Sequence, residues 1–382
     1  MHLPLDYPTL RIIWWALMGV LLIGFALTDG FDLGVAALLP FVARTDKERR
    51  MAINTIAPTW EGNQVWLILG GGAIFAAWPF VYAVSFSGFY LAMFAVLASL
   101  ILRPVAFKYR SKRPGAAWRT SWDWALFIGG FVPALVFGVA VGNVLQGVPF
   151  RLDSDLRTVY EGGFFGLFTP FTLVCGLLSV AMLVLHGSAW LTLKAEPGVV
   201  RDRARAFGTI AGIASLVLFA AGYAFAAFGG LGFRIEGAVD MAGPSNPLRT
   251  VSVAAAGGWL VNFSAHPWMW AAPVLGFLGA VLALFGVRAG KEAPALAGSS
   301  LSATGIIATV GLSMFPFILP SSIDPKSSLT VFNASSSHLT LFIMLLVTVV
   351  FLPIVLIYTA WAFKVMWGRS TQAALATNPD LY

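Results

Sequence analysis

Nine stretches of this chain are each apolar over about 20 residues, the length of helix that crosses the hydrocarbon core of a bilayer. They fall at approximately 12–42, 59–78, 82–103, 122–144, 164–186, 206–228, 267–287, 299–319 and 339–367. So many runs cannot be hidden in one water-soluble core. The pattern predicts an all-α, polytopic integral membrane protein with nine transmembrane helices, forming a single integral membrane domain over residues 1–382. Composition agrees: 58% of residues are hydrophobic and 11% charged, too few charges to cover a water-exposed surface. A net charge of +7 would suggest nucleic acid in a soluble protein. Here it reads as basic loops against an anionic leaflet, with membrane lipids as partners and no nucleic acid.

Nine spans place the termini on opposite sides. With the N-terminus outside, the inner segments hold 18 of the 24 basic residues, from Arg44, Lys47, Arg49 and Arg50 through to Lys364 and Arg369. The outer segments keep Arg11, Arg151, Arg157, Arg234, Arg249 and Lys326. The asymmetry predicts an N-terminus on the outer side and a C-terminus on the inner, cytoplasmic side. Trp14, Trp15 and Trp78 then fall near outer span ends, and Trp122, Trp190 and Trp367 near inner ones, where amphipathic rings settle. The first apolar run lacks the basic start and small-residue site of a cleavable signal peptide.

Against this background the acids stand out. Asp29 and Asp32 interrupt "TDGFDLGVAALLPF", and Glu61 follows in "APTWEGNQVW". Counted from the tryptophan belts, all three lie toward the inner side of the membrane. Asp29 and Asp32, at i and i+3, share a helix face. Two adjacent carboxylates in low dielectric cannot both ionise cheaply, so the pair is suited to hold and pass a proton. Arg103, at the same depth, is a candidate partner for either. Asn63 and Gln64 extend the polar patch, and Gly30 with Gly34 permits close helix contact. Two readings stand side by side: a structural salt bridge to Arg103, or a proton or ligand site, the usual role of intramembrane acids.

The remaining polar residues say less. His2, His186, His266 and His338 are scattered, the last three at span ends where a solvated imidazole is the ordinary finding. Asn143 and Gln146 read as caps of the fourth span. "MFPFILPSS" reads as a proline-terminated helix end. The lone Cys175 cannot form a disulfide within the chain, and no cluster has metal-ligand spacing.

The segments "GFALTDGFDLGVAALLPF", "ERRMAINTIAPTWEGNQVWLILGGGAIFAAWP", "FSGFY", "VGNVLQGVPF", "WLVNF", "MFPFILPSS" and "YTAW" together resemble subunit II of cytochrome bd-type ubiquinol oxidases over nearly the whole chain. The resemblance implies two four-helix bundles plus one extra helix. It implies a respiratory complex of the bacterial inner membrane, here with the N-terminus periplasmic and the C-terminus cytoplasmic, that oxidises ubiquinol and reduces O2 to water, building proton motive force without pumping. Two b-type haems and one haem d would be held by the partner, subunit I, and a small third subunit is common. Glu61 resembles the cytoplasmic entrance of a proton path, with Asp29, Asp32, Trp60 and Arg103 near it. Some members also hold a ubiquinone in this subunit, so Arg103, Trp60, Asn63 and Gln64 are candidate quinone contacts. Trp66 resembles a residue beside a hydrophobic oxygen channel. Two rival readings are a proton-coupled transporter using the three acids and a purely structural partner.

Overall fold

The computed structural model describes residues 3–371 and 373. Among the described residues twelve α-helices carry the fold: α1 Tyr7–Val42, α2 Asp46–Asn54, α3 Trp60–Ala77, α4 Pro79–Gly88, α5 Tyr90–Tyr109, α6 Ala116–Gln146, α7 Pro170–Lys194, α8 Val199–Phe228, α9 Val261–Ala265, α10 Ala271–Ala289, α11 Glu292–Met314 and α12 His338–Val365. Eight of the helical segments among the described residues are long and apolar enough to cross a membrane. The expected span 59–78 forms a helix, α3, but it is not one of these eight, because its first turns carry Glu61, Asn63 and Gln64 and dilute its apolar character. The expected span 82–103 is divided at Phe89 into α4 and α5.

Local chemistry sets the helix limits. Asp6 caps α1, accepting from Thr9 N at 2.7 Å, with Pro8 in the first turn. Thr169 and Thr172 form a reciprocal cap that starts α7 at Pro170, later than the 164–186 expected. The helix consequently runs on to Lys194. This shift moves His186 from a span end into the interior, where it is 1% exposed. Gly290, at φ +66°, ends α10 in the left-handed conformation that a side chain disfavours.

α1 is the central element and packs on α3, α6, α7 and α11. Its contact with α7 depends on Gly34, where an added Cβ would run into the Leu183 carbonyl and lie 3.0 Å from Gly187 Cα. α12 lies at the periphery: Leu341 is its one buried residue among those described.

Among the described residues three short antiparallel hairpins, absent from the all-α expectation, close the end of the molecule where α1 begins. They pair β1 Phe150–Leu152 with β2 Thr158–Tyr160, β3 Phe233–Ile235 with β4 Ser252–Ala254, and β5 Phe317–Leu319 with β6 Leu329–Thr330. Their backbones join through Val148 and Ser321 and through the Ser252 hydroxyl on Pro325 O. Arg11 fastens α1 to this cap. Its Nε donates to Ser335 Oγ at 2.7 Å, Nη1 to Met241 O at 2.6 Å and Nη2 to Ser245 Oγ at 2.9 Å, and the guanidinium stacks 3.5 Å from the Tyr7 ring. At the opposite end Asp123 accepts from Arg49 and Arg110, at 2.8 and 2.6 Å, while Asp46 accepts from Arg110 and Arg119, both at 2.9 Å. That network ties α2 to the start of α6.

Candidate functional site

The three acids do not form one patch. Asp29 and Asp32 project from α1 toward Arg103 of α5, and all three side chains are fully buried. The guanidinium holds Asp29 in a two-pronged pair, Nη1 to Oδ2 at 2.9 Å and Nη2 to Oδ1 at 2.7 Å. This planar fork-to-fork geometry is the strongest an arginine makes with a carboxylate. Room for it comes from Gly129 of α6, where a Cβ would stand 2.8 Å from Arg103 Cγ.

Asp32 is held differently. Its Oδ2 accepts from Asn63 Nδ2 at 2.8 Å and lies 4.0 Å from Arg103 Nη2. Among the described residues its Oδ1 has no hydrogen-bond partner, and neither does Arg103 Nε. A buried carboxylate oxygen left without a donor favours the protonated acid. With both acids ionised the cluster would carry one negative charge beyond what Arg103 balances.

Glu61 stands apart. On α3, Trp60, Asn63, Trp66 and Gly70 turn inward and are buried. Glu61, Val65, Ile68 and Leu69 turn outward and are exposed. Glu61 has no hydrogen-bond or ion-pair partner among the described residues. Trp60 stacks on Phe107 at 5.2 Å, Gln64 is half-buried, and Trp66 packs so closely on α1 that a Cβ at Gly24 would sit 2.9 Å from its ring.

Of the polar residues expected at span ends, His186 is buried instead. His186 bridges three helices: Nδ1 lies 2.8 Å from Ser299 Oγ of α11 and Nε2 lies 3.1 Å from Leu27 O of α1. Both ring nitrogens are thereby engaged, so the residue does not suit axial ligation of a haem iron. His338 Nε2 is 2.7 Å from Leu5 O, and His266 lies exposed. No group of three or more metal-ligating side chains occurs among the described residues. Asn143 and Gln146 do close α6, but by reaching across to Leu167 O and Thr169 Oγ1 at the start of α7.

A profile of the family described as cytochrome bd terminal oxidase subunit II matches residues 10–366. The chain belongs to that family. It is 50% identical over 374 residues to "Cytochrome bd-I ubiquinol oxidase subunit 2" of Escherichia coli (strain K12), with 98% of each chain covered. "Probable cytochrome oxidase subunit 2" of Haemophilus influenzae is 49% identical, covering 96% of each chain. "Cytochrome bd ubiquinol oxidase subunit 2" of Bacillus subtilis is 32% identical, covering 94% of this chain and 97% of that one. Among solved structures, a chain of the bd oxidase from Geobacillus thermodenitrificans superposes with a TM-score of 0.68 at 14% identity, over 94% of this chain and 99% of that one. That likeness concerns the fold. A family member is one subunit of an oxidoreductase whose complex contains haem and a subunit I.

Proposed function

We propose that this chain is the haem-free half of an inner-membrane quinol oxidase and that Glu61 takes up protons for oxygen reduction in the partner. The observation that carries the reading is the division among the acids. Asp29 is locked to Arg103 and serves as a clasp. Glu61 is unpaired on an outward, otherwise apolar face of α3. A carboxylate facing lipid is costly, whereas one at a contact with another subunit can be hydrated or hydrogen-bonded. The outward face of α3 is thus the seat of subunit I, and protons pass along it rather than through the Asp29–Arg103 pair. Asp32, with one free oxygen and Asn63 on the other, is a buried reserve that can hold a proton.

In this reading subunit I binds the two b-type haems and haem d, and those groups supply electron transfer from ubiquinol to dioxygen. The residues of this chain move protons and shape access. Trp66 and the apolar side chains Val65, Ile68 and Leu69 border a greasy route for dioxygen, which partitions into lipid. Arg103, Trp60 and Asn63 are engaged within the chain, so a ubiquinone held here would meet them only after rearrangement. α3 completes nine spans arranged as two four-helix bundles plus α12, with the N-terminus periplasmic. The exposed flank of α12 is open to lipid or to a small third subunit. Drawing protons from the cytoplasmic side makes the reaction electrogenic, worth about 2.3 kcal/mol per charge at 100 mV.

The test is Glu61→Gln in the assembled complex. The account expects oxygen consumption with ubiquinol to fall about tenfold or more with haem content unchanged. Unchanged turnover removes the proton role.

A further inference from the structure

A cavity of about 180 Å³ opens where the end of α7, the end of α12 and the turn between α2 and α3 meet. The segment after α12 builds one wall by returning to α7. Ser370 N donates to Lys194 O at 2.8 Å and Glu196 N to Ser370 O at 3.2 Å. Thr55, Thr59, Trp190 and Phe363 line the cavity as well, the last two with apolar surface.

Lys194 supplies the charge. It is 8% exposed, and its Nζ donates to Met366 O at 3.2 Å while lying 4.9 Å from the Trp367 ring and 5.6 Å from the Trp190 ring. An ammonium has three donors, and no carboxylate is paired with this one among the described residues. The other cation on the rim, Arg369, is already held by Glu292 at 2.5 Å. A nearly buried ammonium satisfied by one carbonyl and two ring faces is short of an anion. The space exceeds the roughly 30 Å³ share of one water several-fold. The Thr55 and Thr59 hydroxyls donate to Ala52 O and Ile56 O, so the Lys194 ammonium is the donor left for a polar end, and Trp190 and Phe363 offer carbon to an apolar one. Beside the cavity, the outward flank of α12 exposes Ile354, Ile357 and Trp361, a surface along which acyl chains can lie.

We propose that this cavity binds the phosphodiester headgroup of an anionic phospholipid, with Lys194 as its counter-charge and the glycerol against Trp190 and Phe363. The inference rests on the membrane setting and not on the proton role of Glu61. A phosphate-class anion could come from lipid or from solution, and the lipid is favoured by the apolar wall and the adjoining face of α12.

The test is native mass spectrometry of the delipidated, haem-containing complex titrated with phosphatidylglycerol, phosphatidylcholine and inorganic phosphate. Wild type should retain one phosphatidylglycerol about fivefold more tightly than phosphatidylcholine. Inorganic phosphate should not displace it. Lys194→Gln should erase the preference and Lys194→Arg should keep it. Equal retention of the two lipids by wild type overturns the proposal without recourse to any variant. So does an unchanged preference in Lys194→Gln, displacement by inorganic phosphate, or occupation by a neutral quinone alone. Oxygen consumption plays no part in the readout, so failure here and failure of the Glu61 reading are separable.

Discussion

Removing the Asp29 carboxylate charge should show how much the buried clasp holds. Asp29→Asn leaves Arg103 without the acid that receives both of its terminal nitrogens. Breaking a buried pair by removing one partner costs about 3–5 kcal/mol, because the remaining charge stays out of water. The structure places this variant at the low end, about 3 kcal/mol, because Asp32 Oδ2 waits 4.0 Å from Arg103 Nη2 and can move to it. Converting both Asp29 and Asp32 to Asn removes that substitute and should reach about 5 kcal/mol. A 2 kcal/mol gap between the two variants is roughly a 30-fold difference in the folding equilibrium. The assay is thermal unfolding of the detergent-solubilised complex, with co-purified haem as the measure of assembly. The order should be wild type, then Asp29→Asn, then the double variant. Asp32→Asn alone should be mild, since an amide oxygen can still accept from Asn63. If Asp29→Asn melts with wild type, or Asp32→Asn proves the worse single change, the clasp is assigned to the wrong carboxylate.

Three further outcomes follow from the same geometry. His186→Ala should cost about 2–4 kcal/mol in thermal unfolding by losing its buried bridge between Leu27 and Ser299, and should leave the haem spectrum unaltered; a lost haem band would make it a ligand. Gly34→Leu should push α1 from α7 and destabilise by about 1–3 kcal/mol or more; a normal melting temperature would refute the close contact. Burial pushes the Glu48 carboxyl up, but the backbone N–H groups of Arg44 and Thr45 and the Arg203 guanidinium outweigh it and hold it below the ordinary 4.5. The stability advantage of wild type over Glu48→Gln should therefore be full above pH 4.5 and disappear as pH falls through the lowered value; an advantage that grows with acid would contradict this.

The long apolar runs revealed the membrane class because span length is a property of local sequence. That Arg103 would pair with one of the two α1 aspartates was legible too, since charges so rare in apolar segments have few possible partners; that the partner is Asp29 was not. Which way Glu61 turned was not legible. It depends on the rotation of α3, fixed by the packing of Trp60 on Phe107 and of Trp66 on α1 at Gly24. His186 was misread because the start of α7 was set six residues too early, and a cap formed by two threonines decided that start. The hairpins escaped because each is two or three residues per strand, and they are joined by contacts between loops far apart in sequence, Val148 with Ser321 and Ser252 with Pro325. Arg11 was counted as an outer basic residue, yet it lies buried under loop carbonyls that no local pattern foretells. Lys194 was counted among inner-loop charges, and only the return of the segment after α12 encloses it.

The central claim is that a carboxylate of this chain feeds protons to chemistry carried out on haem elsewhere. It is tested most directly by following proton uptake from the cytoplasmic side during oxygen reduction, in proteoliposomes containing the whole complex with either wild-type chain or Glu61→Gln. The account predicts uptake slowed about tenfold or more in the variant, with the haem spectrum and reduction by ubiquinol unchanged. Uptake at the wild-type rate would contradict it.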